Sequence, residues 1–275
     1  MNASGEKQRP VGVFDSGVGG LTVLKALRDA LPNEHLIYLG DTARLPYGTK
    51  SPGSVSRYAS QTSRKLQERG IKMLVVACNT ASAVALDALC KTLAPVPVIG
   101  VVEPGAEAAV AARPAGQHLV LATEATVRLG AYRKAIEARD AQATVKELAC
   151  ELLVALAEEG WTGNGIAEAI VRRYLDDAGI DTSEPDSVIL GCTHFPLLRK
   201  TFELVFDDGI AIVDSASTTA AVARKTLSDL ALATESDDGG SLELLATDGA
   251  TRFARVGGQF LGEQLSADDV SIVDL

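Results

Sequence analysis

The chain has 275 residues, of which 47% are hydrophobic and 23% charged, and its net charge is −10 at pH 7. This acidic balance argues against a nucleic-acid-binding surface, which needs a basic face, and against docking on an anionic membrane. The N-terminus lacks the apolar core of a signal peptide, and no apolar run reaches the roughly 20 residues of a membrane span, so we expect a cytoplasmic protein.

The first hundred residues alternate apolar runs with amphipathic segments. The runs at 11–14, 35–41 and 73–77 predict strands. Helical spacing follows at 21–31, 54–69 and 80–93. This order predicts a parallel sheet covered by helices. The loop after the second strand is rich in Pro, Gly and Tyr, and loops at the carboxyl edge of such a sheet often carry ligand contacts.

A second series of the same kind starts near residue 100. Its predicted strands lie at 97–102, 118–123, 143–148 and 187–191, and its predicted helices at 103–112, 126–138, 149–161 and 165–179. Beyond Phe206, strands at 210–216, 241–247 and 269–275 alternate with helices at 218–232 and 249–262. We therefore predict an α/β protein with two similar lobes, each a mostly parallel sheet flanked by helices, and an active site between them. Periodicity leaves open which lobe the tail joins.

Two similar motifs end predicted strands, LVVACNTASAVA around Cys78 and SVILGCTHFPLL around Cys192. A cysteine at this point lies at the carboxyl edge of a sheet, beside the N–H groups of the next helix, which favour thiolate over thiol. We predict that the two sulfurs act as matched bases on either side of one ligand. Cys90 and Cys150 fit buried structural thiols instead. The four cysteines show no zinc spacing, and a reducing compartment disfavours disulfides, so no metal site is expected.

Polar residues beside these motifs are further candidates. Asp15 and Ser16 lie in DSGVGG, which has neither a G-x-G-x-x-G pattern nor a P-loop lysine. Asp15 either caps a helix or holds a substrate ammonium and assists a thiol. Tyr47 and Gly48 either contact a carboxylate, through a hydroxyl and a backbone N–H, or form an ordinary turn.

Histidines offer one further candidate. His194, two residues after Cys192, either steadies a thiolate or relays its proton. His35 and His118 introduce strands, and we expect them to face solvent.

Five segments together make the chain resemble the glutamate racemases of the aspartate/glutamate racemase family. They are FDSGVGGLTV, LGDTARLPYGTKS, VVACNTASA, LATEATVRLGAY and LGCTHFPLL, and the resemblance covers nearly the whole chain. It implies a cofactor-independent isomerase that interconverts L-glutamate and D-glutamate and supplies D-glutamate for peptidoglycan, the cell wall and cell shape. It also implies a homodimer, and a tail that returns to the first lobe, which gives lobes at 1–100 plus 211–275 and at 101–210.

The resemblance also implies roles for particular residues. Cys78 would deprotonate D-glutamate with Asp15 as its helper, and Cys192 would deprotonate L-glutamate with the help of His194. The substrate-binding residues that carry over are Asp15, Ser16, Tyr47, Gly48, Asn79, Thr80, Thr126, Thr193 and His194. Glu158 matches a glutamate that lies behind the substrate contacts. Many members read CPLFVPLVEEG in this region, whereas this chain reads CELLVALAEEG and lacks both prolines.

Three other interpretations remain open. An aspartate or hydantoin racemase shares the paired cysteines, although DSGVGG and LPYGTKS favour glutamate. A thiol hydrolase with a Cys/His pair would need only one cysteine. A protein-binding role is the third, because some racemases of this type are reported to inhibit DNA gyrase.

Overall fold

The computed structural model describes residues 3–275, with side chains from Gly5 onward. In chain order the strands are β1 (Val11–Asp15), β2 (Leu36–Gly40), β3 (Met73–Val76), β4 (Val98–Gly100), β5 (Gln117–Ala122), β6 (Thr144–Ala149), β7 (Ser187–Gly191), β8 (Ala211–Asp214), β9 (Leu242–Ala246) and β10 (Val270–Ile272). The α-helices are α1 (Ala3–Lys7), α2 (Leu21–Ala30), α3 (Pro52–Glu68), α4 (Asn79–Leu93), α5 (Val102–Ala112), α6 (Glu124–Leu129), α7 (Ala131–Glu137), α8 (Leu152–Glu158), α9 (Gly165–Asp177), α10 (Arg199–Val205), α11 (Ser215–Asp229) and α12 (Ala250–Leu261). The chain forms two compact units, the first made of the residues up to Val101 together with Ala216–Leu275 and the second of Val102–Ser215.

The first unit contains a parallel sheet of six strands in the order β10-β9-β2-β1-β3-β4. Strands β1, β2 and β3 are buried at every position, as expected for parallel strands covered on both faces. Helices α3 and α4 supply the apolar side chains on one face, while α2 packs against α12. The register pairs Asp15 with Gly40 and Phe14 with Val76, so Asp15 at the end of β1, Asp41 after β2 and Cys78 after β3 lie at the same edge.

The second unit contains a parallel sheet of four strands in the order β6-β5-β7-β8. One face is covered by α5 and α7 and the other by α8, α9 and α10. Ala122 pairs with Gly191 and Leu190 with Asp214, which brings Thr123, Cys192 and Ser215 to the carboxyl edge. The predicted fold class, two parallel sheets flanked by helices, is confirmed.

Several predicted elements differ from the structure; the strand predicted at 210–216, for example, ends at Asp214, where α11 takes over. The helix predicted at 126–138 is two helices, because the chain turns at Gly130, whose φ of 59° lies in the left-handed region that glycine adopts without strain. The strand predicted at 97–102 ends at Gly100, and α5 begins two residues later. The helix predicted at 149–161 is shorter, since α8 ends at Glu158.

Two expectations about individual side chains are wrong. His118 does not face solvent: it is 1% exposed on β5, and its Nδ1 lies 2.7 Å from Ser187 Oγ. Burial lowers the pKa of His118, which keeps the imidazole neutral. Cys90 is exposed on α4, whereas Cys150 is buried as expected. The sequence of a strand shows which of its residues are apolar. It does not show which of the polar residues at its ends are covered by neighbouring strands.

A buried ion pair ties three segments of the first unit together. Lys72 Nζ lies 2.5 Å from Glu34 Oε2, and both side chains are almost completely buried. Lys72 also donates to the carbonyl oxygen of Lys7 at the end of α1, while Glu34 accepts the N–H of Thr234 at 2.8 Å. The pair therefore joins α1 and the segment before β9 to the amino edge of the sheet.

Replacing Lys72 with methionine should lower the free energy of unfolding by about 3–5 kcal/mol, because it leaves the Glu34 carboxylate buried without its cation. Urea unfolding measures this loss. The control is Lys225→Met, which removes an exposed ion pair with Asp229 and should cost much less. Equal losses in the two variants would contradict a buried, coupled pair.

Candidate active site

Asp15 lies at the end of β1 and is completely buried. Its Oδ2 accepts the N–H of Gly17 at 2.9 Å, so the carboxylate lies against the DSGVGG turn. A Cβ atom at Gly20 would lie 2.5 Å from the Cβ of Asp15, so only glycine allows this close approach. The N-cap of α2 is Gly20, which rules out the interpretation of Asp15 as the cap of that helix.

Cys78 is the N-cap of α4 and is 5% exposed. Its Sγ accepts the N–H of Ala81 at 3.4 Å and lies 3.7 Å from Ser16 Oγ. An N–H donor and the positive end of the helix dipole both stabilise negative charge on this sulfur. Asn79 and Thr80 are buried residues of the first turn of α4. We call Asp15, Ser16, Cys78, Asn79 and Thr80 the first half-site.

Tyr47 and Gly48 are buried in a short 3₁₀ turn, Tyr47–Thr49, in the loop after β2. The Tyr47 hydroxyl donates to the buried Asp41 carboxylate, which also accepts from Arg44 and, at 3.1 Å, from Thr247. Burial, followed by the charge of Asp41, raises the pKa of Tyr47 well above its ordinary value. The Tyr47 hydroxyl therefore donates its proton to Asp41. Only the backbone of this turn is left to contact a ligand carboxylate.

Cys192 directly follows β7, and His194 comes two residues later; they are 5% and 8% exposed. Cys192 Sγ lies 3.7 Å from His194 Nδ1, and Thr193 Oγ1 lies 3.5 Å from the same nitrogen. On the other side of the ring, His194 Nε2 lies 3.2 Å from Glu158 Oε1 at the end of α8. Carboxylate, imidazole and thiol thus form a contiguous chain. We call Cys192, Thr193, His194, Glu158 and Thr126 the second half-site.

Thr126 is completely buried on α6, and its Oγ1 lies 3.1 Å from Thr123 Oγ1. Thr123 follows β5, next to the end of β7 that leads into Cys192. The first N–H of α6, that of Glu124, donates to Glu151 Oε1 at 2.7 Å. The Glu151 carboxylate therefore holds the start of the helix that carries Thr126.

Sequence reasoning missed two buried tyrosines. Tyr38 on β2 donates its hydroxyl proton to the carbonyl oxygen of Gly17 at 3.0 Å. Tyr132 on α7 is completely buried, and its ring packs against Gly105 and Gly191. The available signal was a tyrosine inside an aliphatic strand, LIYLG, because a buried phenol needs a hydrogen-bond partner.

Cys150 is not a further candidate base. Burial, with smaller contributions from Glu151 and Cys192, raises the pKa of Cys150 to about 12, so this thiol stays protonated. Within residues 3–275 no group of three or more His, Cys, Asp or Glu side chains could hold a metal ion. No helix in the same part of the chain is both long and apolar enough to cross a membrane.

The sequence profile of the Asp/Glu/hydantoin racemase family matches residues 19–223. The chain belongs to this family. It is 47% identical to the glutamate racemase of Geobacter metallireducens over 257 residues, which cover 94% of each protein. It is also similar to the crystal structure of glutamate racemase isoform RacE1 from Bacillus anthracis, with a TM-score of 0.91, 33% identity and 98% of each chain covered.

A glutamate racemase from Francisella tularensis, crystallised in complex with D-glutamate, matches with a TM-score of 0.88 and 32% identity over 98% of each chain. These likenesses confirm the resemblance seen in the sequence motifs. They also make the chain a racemase, and therefore an isomerase.

Two substitutions can separate the role of Cys78 as a helix cap from its predicted role as a base. Cys78→Ala removes the acceptor of the Ala81 N–H and should lower the free energy of unfolding by about 1 kcal/mol relative to Cys78→Ser, because serine is a good N-cap residue. Thermal and urea unfolding measure the difference. The same pair of changes at Cys192, which is not a helix N-cap, should differ less. Equal stability of the two Cys78 variants would contradict the cap.

Proposed function

We propose that this protein interconverts L-glutamate and D-glutamate by proton transfer between Cα and two thiols, without a cofactor. The observation that carries the proposal is that Cys78 and Cys192 each follow a parallel strand and each have separate acid–base support. Cys78 acts on D-glutamate and Cys192 on L-glutamate, as the family resemblance implies. In each direction one thiolate takes the α-proton and the other thiol returns a proton to the opposite face of the planar carbanion.

Two features of the first half-site support Cys78 as a base. The Ala81 N–H and the amino end of α4 favour its thiolate, and Ser16 Oγ lies within reach of the sulfur. A thiolate stabilised in this way can accept a proton and return it as a thiol. The buried carboxylate of Asp15 sits on the adjoining strand end, where it can receive the substrate ammonium.

The second half-site supports Cys192 in a different way. A Glu158 carboxylate that accepts from His194 Nε2 leaves Nδ1 facing the thiol. The imidazole can then take the thiol proton and stabilise the thiolate as an ion pair. Glu158 therefore holds the ring and favours its charged form, which makes the two thiols unequal in their surroundings.

The remaining groups would bind the substrate and its carbanion. Removing a proton next to a carboxylate needs preorganised donors and the exclusion of water. The buried side chains of Asn79, Thr80, Thr126 and Thr193, with the backbone at Tyr47 and Gly48, are suited to this role.

Glutamate is the proposed substrate because the relatives above are named glutamate racemases and one of them was crystallised with D-glutamate. D-Glutamate made in this way would supply peptidoglycan synthesis in the cytoplasm, and we propose a homodimer as the working form. A thiol hydrolase is less well supported, because it would leave one of the two thiols without a role.

The test is to replace each thiol separately. Cys78→Ala and Cys192→Ala should each lower the rate of glutamate racemization by at least about 10²–10⁴-fold, the contribution of a positioned acid–base group. Circular dichroism of the free amino acid follows the reaction from both enantiomers, and D-aspartate is the comparison substrate. Cys90→Ala, at the exposed thiol of α4, is the control and should keep full activity. Full activity of either site variant would refute the two-base scheme.

A further inference from the structure

The hydroxyl of Tyr38 holds the turn that carries Asp15 and Ser16. It donates to the carbonyl oxygen of Gly17 at 3.0 Å, so it contacts the DSGVGG turn from the side of β2. Asp15 holds the same turn from the other side through the N–H of Gly17. The Tyr38 side chain is completely buried, and its ring packs against Phe253 with the centroids 6.0 Å apart.

Tyr132 occupies a comparable place in the second unit. Its ring fits against two glycines, since a Cβ at Gly191 would lie 3.0 Å from Cε2 and one at Gly105 would lie 3.1 Å from Cε1. Gly191 is the residue directly before Cys192. The Tyr132 hydroxyl lies near Ser215, which directly follows β8, the strand paired with β7. The ring is therefore packed between Gly105 and Gly191, against the backbone that leads into Cys192.

Both phenols are kept neutral by their surroundings. Burial raises the pKa of Tyr38, with further contributions from Asp15 and Cys78. Burial also raises the pKa of Tyr132, followed by Cys192 and Asp214. A neutral phenol can hydrogen-bond in the same way throughout the range in which a nearby thiol titrates. Each tyrosine therefore keeps a neutral hydroxyl near one thiol.

We propose that Tyr38 and Tyr132 are matched positioning residues, the first fixing the turn beside Cys78 and the second fixing the strand end before Cys192. Neither hydroxyl touches the substrate in this scheme. Each acts through backbone and side-chain groups of one half-site, so each tunes one of the two proton transfers. This inference rests on the proposed function, because it assumes that each thiol serves one enantiomer.

A tyrosine that served packing alone would affect both proton transfers in the same way. Rates cannot separate the two cases, because enantiomers have equal free energies and kcat/KM must fall by the same factor in both directions. Primary isotope effects can separate them. If the transfer at Cys78 is slowed, breaking of the Cα–H bond becomes more rate-limiting for D-glutamate. It becomes less rate-limiting for L-glutamate, whose α-proton goes to Cys192.

The experiment measures the deuterium isotope effect on kcat/KM with D-[2-²H]glutamate and L-[2-²H]glutamate for the intact enzyme and two variants. Tyr38→Phe keeps the ring but removes the donor to the carbonyl oxygen of Gly17, so kcat/KM should fall by about tenfold. Its isotope effect should rise for D-glutamate and fall for L-glutamate. Tyr132→Phe should give the opposite pattern.

Tyr58→Phe is the matched control, because this half-buried tyrosine of α3 packs under Arg44, whose guanidinium lies 4.4 Å from the ring centre. It should leave both isotope effects at the wild-type values. Should Tyr38→Phe fail to fold, Tyr132→Phe applies the same test to the second half-site. Isotope effects that stay at the wild-type values in active variants would overturn the positioning role alone. A wild-type enzyme that does not racemize glutamate would instead overturn the proposed function.

Discussion

The hydrogen bond from the Ala81 N–H to the Cys78 sulfur is the interaction on which the first half-site depends. It exists because β3 ends just before the cysteine and α4 begins just after it, which leaves the sulfur in the position of a helix cap. The same placement brings Ser16 to the thiol and puts Asn79 and Thr80 in the first turn of the helix. One boundary between strand and helix therefore determines which groups contact the thiol.

The second half-site surrounds its cysteine with different groups. Cys192 also comes after a buried parallel strand, but the next element is a 3₁₀ turn, Phe195–Leu198, whose N-cap is His194 rather than the cysteine. A short turn has a weaker dipole than a four-turn helix. Here the imidazole of His194 lies between the Cys192 sulfur and Glu158, whereas the start of a helix lies at Cys78. The two thiols have similar origins in the sequence and dissimilar electrostatic surroundings.

The sequence predicted the alternating strands and helices, because buried parallel strands and amphipathic helices leave strong periodic patterns. It also predicted that Cys78 and Cys192 each follow a buried strand, and their role as bases stays a prediction. It could not predict that His118 is buried or that the Tyr47 hydroxyl is held by Asp41, because those contacts depend on how neighbouring strands and loops pack. Tyr38 and Tyr132 were missed for the same reason: each looks like an ordinary core aromatic until the partner of its hydroxyl is known.

The central claim is that two different thiols act on the two faces of one carbon, and solvent isotope incorporation tests it most directly. D-Glutamate is incubated with the enzyme in deuterium oxide, and product and recovered substrate are analysed early in the reaction by mass spectrometry; L-glutamate is then treated in the same way. We expect the product to carry deuterium at Cα while the recovered substrate keeps its protium, from either enantiomer. Product that retains the original proton, or substrate that exchanges as fast as product forms, would contradict the two-thiol scheme.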